Sequence, residues 1–186
     1  TNFPEENPET TAWVLMTQID TDPLTGLPNR NRGLEQLAKQ ISRAKGNNEK
    51  IGLVFIDLDN FKPINENYDH EYGDQILVEV SSALKESFRP SDYLVRYGGD
   101  EFYAICPGMA EEQRIDIEKR IREKIQEKLS KREDFKTRPE LGQVGVTIGR
   151  TFWDGKESPI DFINRTDRKM YEIKREKHTS GYNYEK

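Results

Sequence analysis

Apolar residues recur along the chain with two periods, and each period predicts a different element. A spacing of three or four residues is typical of an amphipathic helix, and short apolar runs between polar loops are typical of strands. Helical spacing covers residues 34–41, 74–88, 117–129 and about 158–174. The strand-like runs are 51–56, 93–95, 102–105 and 144–148. Helices and strands therefore alternate along most of the chain.

The turns between these segments favour one fold class. Gly98-Gly99 lies between two strand-like runs, where glycine can adopt the positive φ angles of a tight hairpin, so the two runs should pair antiparallel. Pro63 is expected in the first turn of a short helix, and Ser158-Pro159-Ile160-Asp161 reads as a capped helix start. The hairpin favours a mixed α/β fold (α+β type), with a largely antiparallel central sheet flanked by helices, over a doubly wound parallel sheet.

Length and charge narrow the classes of function. A chain of 186 residues suits one domain with a single core. Its 34 acidic and 29 basic residues give a net charge of −5, which disfavours broad binding to nucleic acid or to an anionic membrane. The single cysteine, Cys106, cannot form an internal disulfide and gives no zinc signature, which fits a reducing cytoplasm. No apolar run approaches the roughly 20 residues needed to span a bilayer.

The two ends of the chain differ from the rest in composition. Residues 2–11 are acidic and contain proline, and residues 13–19 form a short apolar segment. We interpret residues 1–20 as a linker, or as the end of a connecting helix from a regulatory region outside this chain. Residues 21–178 form the predicted domain, and residues 179–186 form a tail.

Three carboxylates follow predicted strands or turns of one sheet. Asp57 ends a buried run, and Asp100 and Glu101 lie at the hairpin turn. If the runs share a sheet, these acids converge, and their repulsion is costly unless a cation such as Mg²⁺ neutralises it. The pattern indicates a metal-dependent phosphoryl or nucleotidyl transfer. Taken singly, acids beside turns are usually solvated surface groups, and Gly-Gly-Asp is a common hairpin sequence.

Three segments in order resemble the GGDEF family of diguanylate cyclases. They are Asp22-Pro23-Leu24-Thr25-Gly26-Leu27-Pro28-Asn29-Arg30, Asp57-Leu58-Asp59-Asn60-Phe61-Lys62-Pro63-Ile64-Asn65 and Arg96-Tyr97-Gly98-Gly99-Asp100-Glu101-Phe102. The resemblance implies a fold similar to the ferredoxin-like palm domains of nucleotide cyclases and polymerases. It also implies condensation of two GTP into cyclic di-GMP and two pyrophosphates, across the two-fold axis of a homodimer.

The resemblance assigns the metal site and the catalytic acids. It implies two Mg²⁺ or Mn²⁺ ions per active site, with Asp57, Asp100 and Glu101 as the catalytic residues. The implied metal ligands are Asp57, the Leu58 carbonyl, Asp100 and Glu101.

The resemblance also assigns the nucleotide contacts. Asn65 and Asp74 would read the guanine edge, although a helix-end residue and a helix cap are the structural alternatives. The other GTP contacts would be the backbone at Asn60, Phe61 and Lys62, the open turn at Gly98 and Gly99, and Lys174 and His178. Lys174 could instead complement the helix dipole.

Three positions depart from the family pattern. His178 stands where the family usually has a second phosphate-binding Arg, preceded by Lys177 in place of Gly, so the affinity for triphosphate is expected to be lower. Asp69 replaces a common Gly before His70, which Asp could manage in a left-handed turn.

Arg89-Pro90-Ser91-Asp92 matches the family's inhibitory Arg-x-x-Asp site, and five residues separate Asp92 from Gly98. Arg89 could bind guanine or phosphate of the product, Asp92 could accept from a guanine N–H, and Arg120 is a further candidate. The alternative is that Arg89 ends a helix and Asp92 begins a turn.

Two other functions remain compatible with the sequence. A non-catalytic receptor could bind GTP or cyclic di-GMP and signal to a partner, although such a protein would be expected to have degenerate acids. A cyclase of mixed specificity is the second alternative, and Asp74 argues for guanine on both sides.

Overall fold

A computed structural model describes residues 20–47, 49–110 and 116–179, without the side chains of Asp116 and His178. Most of the predicted linker and tail lie outside these ranges. In chain order the elements are α1 (Arg30–Asn47), β1 (Ile51–Asp59), α2 (Lys62–Asn67), α3 (His70–Ser87), β2 (Tyr93–Gly98), β3 (Glu101–Pro107), α4 (Asp116–Leu129), a 3₁₀ helix (Pro139–Gln143), β4 (Gly145–Phe152) and α5 (Pro159–Thr179).

The four strands form one antiparallel sheet in the order β2-β3-β1-β4. Strand β1 lies inside the sheet, and eight of its nine residues are buried, which explains its nearly continuous apolar sequence. The predicted fold class, a mixed α/β domain with an antiparallel sheet and the GGDEF segment on a hairpin, is confirmed. Within the described ranges, no helix is long and apolar enough to cross a membrane.

Two apolar layers cover the sheet because successive side chains of a strand point to opposite faces. Val54 and Ile56 of β1 pack in one cluster with residues of α3 and α4. Leu53 and Phe55 pack in the other cluster with residues of α1 and α5. Burial of each such side chain stabilises the fold by about 1.5–3 kcal/mol. By the same alternation, Asp57 belongs to the face that α5 covers.

The hairpin between β2 and β3 contains an irregular register between Arg96 and Gly98. Gly99 has φ of 50°, a left-handed conformation that favours glycine, and it begins the turn to Asp100. Gly98 ends β2 without a positive φ, so only one of the two glycines uses this freedom within the described structure.

Two helix starts are set by side-chain caps. Ser158 Oγ accepts from the Asp161 N–H at 3.2 Å and donates to Asp161 Oδ2 at 2.6 Å, as predicted, and α5 extends to Thr179 rather than ending near Lys174. Helix α3 begins at His70 because Asp69 accepts from the Tyr72 N–H at 2.8 Å. The predicted left-handed turn at Asp69 is wrong, since its φ is −81°. The capping alternative for Asp74 is also wrong, since Asp74 lies inside α3.

Candidate active site

Main-chain pairing brings the predicted acids to one end of the sheet. Asp57 of β1 lies opposite Glu101 of β3, and the Leu58 N–H donates to the Asp100 carbonyl oxygen at 3.2 Å. Asp57 is only 7% exposed. The positions of Asp57 and Glu101 therefore depend on strand register, and a main-chain hydrogen bond holds Asp100 of the hairpin turn beside them.

Two lysines of α5 meet the acids of β1. The Lys174 ammonium contacts Asp57 Oδ1, and the Lys177 Nζ lies 3.8 Å from Asp59 Oδ2. Lys177 also donates to the Val146 carbonyl at 3.2 Å. Two lysines one helical turn apart can face every second residue of a strand, because one turn of a helix and two residues of a strand each span about 5–7 Å. The sequence had assigned Lys174 to phosphate and had given Lys177 no partner.

The carboxyls of Asp57 and Glu101 have raised pKa values even with Lys174 beside them. Burial raises the pKa of Asp57, and the Lys174 ammonium opposes that rise while the Asp100 and Asp59 carboxylates add to it. Burial likewise raises the pKa of Glu101, and the charges of Asp57, Asp167 and Asp100 raise it further. Asp167 of α5, which sequence reasoning missed, therefore belongs to the same electrostatic environment. Such a site favours the binding of a cation.

The donor set at this end fits a hard divalent ion, because carboxylate and carbonyl oxygens are the ligands that Mg²⁺ and Mn²⁺ prefer. The ammonium on Asp57 shows that a cation can approach this buried carboxylate. Within residues 20–47, 49–110 and 116–179, however, no three Asp, Glu, His or Cys side chains already surround one point. The expected convergence of three carboxylates would require Lys174 and the acids to adjust.

Arg96 stabilises the hairpin turn through hydrogen bonds, a role that the sequence did not reveal. Its Nε and NH2 donate to the Gly99 carbonyl at 3.1 and 2.8 Å, and its NH1 donates to Asp22 Oδ1 at 2.7 Å. Asp22 also accepts from the N–H and hydroxyl of Thr25. Burial raises the pKa of Asp22, but the hydrogen bonds from Thr25 and Arg96 outweigh burial and hold this pKa below its ordinary value. The Asp-x-x-Thr spacing was the available signal.

The two predicted guanine-reading residues lie at the corner between α2 and α3. Asn65 is on α2, and its amide lies against Gly73 of α3, where a Cβ would approach Asn65 Oδ1 to 1.9 Å. Asp74 follows Gly73 and is exposed. The Tyr68 N–H donates to the Ile64 carbonyl at 3.1 Å and closes α2. The structure thus places Asn65 against the residue that precedes Asp74, and the assignment of both residues to guanine stays a prediction.

The side chains near the start of α2 have structural partners. Asn60 Nδ2 donates to the Gln143 carbonyl at 2.9 Å, and Phe61 is buried in the core. Lys62 Nζ lies 3.3 Å from Glu66 Oε1. Any contact with phosphate here would therefore use backbone N–H groups. At the facing hairpin, a Cβ on Gly98 or Gly99 would meet nothing within 4 Å, so the turn is open. The predicted contact of His178 lies outside the described side chains.

Arg89, Asp92 and Arg120 share one end of the domain. Asp92 Oδ2 accepts from the Arg89 N–H at 2.9 Å, and Arg120 Nε donates to the Ser87 carbonyl at 2.9 Å. Burial raises the pKa of Cys106, and the charge of Asp92 adds to this while Arg89 and Arg120 oppose it. All three side chains are therefore within electrostatic range of one thiol. The turn that was the structural alternative for Arg89 and Asp92 is present.

Comparisons with known proteins agree with this geometry. A family model, "Diguanylate cyclase, GGDEF domain", matches residues 19–180. Diguanylate cyclase DgcP of Pseudomonas aeruginosa is 31% identical over 155 residues, which cover 83% of this chain and 22% of that protein. Diguanylate cyclase DgcP of Escherichia coli is 34% identical over 175 residues, which cover 91% of this chain and 48% of that protein. The chain spans less than half the length of these two relatives.

A solved structure is similar in its backbone. The coiled coil and GGDEF domain of DgcB from Caulobacter crescentus, in complex with c-di-GMP, gives a TM-score of 0.78 at 28% identity. The match covers 90% of this chain and 86% of that one.

Proposed function

Because the chain belongs to the GGDEF family of diguanylate cyclases, we propose that it condenses two GTP molecules into cyclic di-GMP and two pyrophosphates. The observation that carries this proposal is the placement of Asp57 opposite Glu101 and beside Asp100, with raised pKa values for Asp57 and Glu101. Residues 21–178 would be the catalytic domain.

The proposed metal ligands are Asp57, the Leu58 carbonyl, Asp100 and Glu101. When bound, two Mg²⁺ or Mn²⁺ ions would activate the 3′-hydroxyl of one GTP and stabilise charge on the α-phosphate and leaving pyrophosphate of the other. The register of β1 and β3 supports this role, because it holds the acids in place before any ligand arrives.

Lys174 would have two successive partners. Its contact with Asp57 neutralises a buried carboxylate, and its side chain is still 28% exposed. Once a divalent ion balances Asp57, the ammonium would turn to the triphosphate, which is the role implied by the family resemblance. His178 would add a weaker phosphate contact than the usual arginine.

Guanine would be recognised at the corner between α2 and α3. Asp74 is exposed, so its carboxylate can accept from the N1–H and exocyclic amine of guanine, and Asn65 lies against the neighbouring Gly73. Adenine offers no matching pair of donors. The backbone N–H groups at Asn60, Phe61 and Lys62 would meet the phosphates, and the open turn at Gly98 and Gly99 would admit the nucleotide.

The reaction is symmetric, since each GTP supplies one nucleophile and one leaving group. Each protomer would hold one GTP, and two domains would face each other across a two-fold axis. Dimerisation would therefore control the rate.

The test is incubation of the chain with Mg²⁺ and either GTP alone or GTP mixed with ATP, followed by identification of the nucleotide product by mass. Wild type should form cyclic di-GMP, and Asp100→Ala should form none. GTP binding without any product from wild type would favour a receptor, and a mixed cyclic dinucleotide formed from GTP and ATP would overturn the specificity.

Product inhibition is proposed at Arg89 and Asp92, with Arg120 beside them. Arg89→Ala should weaken the calorimetric affinity for cyclic di-GMP by at least about tenfold, because a bidentate charged contact is lost. Arg43→Ala on exposed α1 is the control and should bind normally. An Arg89→Ala protein with wild-type affinity would remove this proposal.

A further inference from the structure

The segment that follows α4 is attached to the guanine-reading corner by a group of side chains that we call the clamp. The clamp consists of Asp134, Arg138 and Glu140 on that segment and Tyr68 and Tyr72 at the corner. Tyr68 directly follows α2 and Tyr72 lies in the first turn of α3, so the clamp contacts both helices of the corner.

Arg138 is the centre of the clamp. The carbon of its guanidinium lies 3.8 Å from the centre of the Tyr72 ring and 4.3 Å from the centre of the Tyr68 ring. The two ring centres are 5.0 Å apart. A planar cation close to two aromatic rings interacts favourably with both, so Arg138 joins the end of α2 to the start of α3.

Hydrogen bonds attach each tyrosine to the same segment. The Tyr72 hydroxyl donates to Asp134 Oδ2 at 2.9 Å, and the Tyr68 hydroxyl donates to Glu140 Oε2 at 3.1 Å. Asp134 is itself held by Arg132, whose Nε donates to Asp134 Oδ1 at 2.9 Å. Each ring thus has a cationic contact and a hydrogen bond with one chain segment, which restricts its position.

The corner depends on such external contacts. Helix α2 has only six residues, too few for a helix to be stable by its own hydrogen bonds. The Asn65 amide of α2 rests on Gly73 of α3, so its position relative to the neighbouring Asp74 depends on the relative orientation of the two helices. Tyr68 and Tyr72 lie between Asn65 and Gly73 in the sequence.

We propose that the clamp positions Asn65 and Asp74 for guanine, so that Arg138 and Tyr72 determine base selectivity without contacting the nucleotide. This inference rests on the proposed function, because it deepens the assignment of the α2–α3 corner to guanine. The phosphates would bind at the opposite end of α2, so the clamp should affect the base and leave the phosphates unaffected.

The experiment compares three ligands by calorimetry in an Asp100→Asn background, so that GTP is not consumed. The ligands are GTP, inosine triphosphate, which lacks the exocyclic amine, and inorganic tripolyphosphate with Mg²⁺. Arg138→Met removes the guanidinium, and Tyr72→Phe removes only one hydroxyl and keeps the ring. Arg43→Met is the matched control, an exposed arginine of α1 on the other side of the sheet.

Arg138→Met should lower GTP affinity about five- to tenfold and inosine triphosphate affinity less. Only GTP carries the exocyclic amine, so only GTP loses the hydrogen bond between that amine and a misplaced acceptor. Tyr72→Phe should change affinity in the same direction by a smaller factor. Tripolyphosphate affinity and the control should be unchanged. An equal loss for all three ligands, or unchanged GTP affinity in both variants, overturns the inference.

Product analysis of the wild type separates this inference from the proposed function. If wild type forms cyclic di-GMP while Arg138→Met and Tyr72→Phe leave the ratio of GTP to inosine triphosphate affinity unchanged, the clamp inference alone fails. If wild type forms no product while the ratio of GTP affinity to inosine triphosphate affinity falls in Arg138→Met, the proposed activity fails and the clamp inference stands.

Discussion

The acidic end of the site and the α2–α3 corner are held by different kinds of contact. Asp57 and Glu101 lie on paired strands, where main-chain hydrogen bonds set their separation. Asn65 and Asp74 lie on two helices, one of them six residues long, which side chains from residues 134–140 hold together. Changes at the acidic end should therefore alter chemistry while the fold persists. Changes at the corner should alter nucleotide affinity first.

The two regions also differ in their electrostatics. Burial raises the pKa values of Asp57 and Glu101, so their charges are costly until a cation is present. Asp74 is exposed, where a carboxylate is already hydrated. The acidic end therefore favours a positively charged ligand, whereas the corner would gain selectivity from the geometry of its acceptors.

The largest effect is expected from Asp57→Asn. This change keeps the shape of the side chain and removes the charge that would hold a divalent ion, so product formation should fall by about 10³-fold or more. Thermal stability should stay near that of wild type, because a buried charge is removed while the exposed part of Lys174 can be hydrated. Initial rates and thermal denaturation measure the two quantities.

Glu123→Gln is the control for Asp57→Asn, since it removes a carboxylate that is 65% exposed on α4. It should leave both rate and stability unchanged. A rate for Asp57→Asn within about tenfold of wild type would contradict the role of the strand-held acids.

Lys174→Met should give opposite changes in two affinities. Without nucleotide, the variant should bind Mn²⁺ several-fold more tightly than wild type, because the ammonium that competes for Asp57 is gone. Its affinity for GTP should fall by about tenfold, because a phosphate contact is lost. Electron paramagnetic resonance of free Mn²⁺ measures the first change, and calorimetry measures the second.

The matched control is Lys169→Met, which removes a 51% exposed lysine from the same helix. Both of its affinities should equal those of wild type. If Lys174→Met leaves Mn²⁺ affinity unchanged, Lys174 does not compete with the metal, and only its phosphate role would remain.

The sequence predicted the acidic end better than the corner, for a physical reason. Strand runs and the Gly98-Gly99 turn are local patterns, so the hairpin that carries Asp100 could be predicted. Its pairing with β1 was only a condition of the prediction, and the structure shows that pairing. The contact of Lys174 with Asp57 joins residues 117 positions apart. Such contacts depend on how a helix packs over a sheet, which periodicity does not specify.

Local alternatives also competed in the sequence. Asp69 and Asp74 are both acids near the start of α3, and only the structure shows that Asp69 is the cap. Arg138 and Tyr72 carried no motif, and their contact depends on the path of the segment after α4. The corner was therefore recognised by resemblance, while the residues that hold it were not.

The smallest effect is expected from Gly73→Ala, which disturbs the corner without changing a charge. The new Cβ would lie 1.9 Å from Asn65 Oδ1, so the Asn65 amide must move. The atom displaced is the end of a flexible side chain, and alanine is favoured over glycine in a helix by about 1 kcal/mol, so stability should not fall. GTP affinity should fall about threefold, because this loss corresponds to only part of the free energy of one hydrogen bond. Mn²⁺ affinity should be unchanged.

Gly46→Ala on α1 is the matched control, because its Cβ would meet nothing within 4 Å. It gains the same helix preference and should bind GTP like wild type. Calorimetry with GTP and Mn²⁺ on both variants isolates the position of the Asn65 amide from helix stability. If Gly73→Ala binds GTP normally while Asn65→Ala does not, the Asn65 amide tolerates displacement. GTP affinity would then depend less on the geometry of the corner than we infer here.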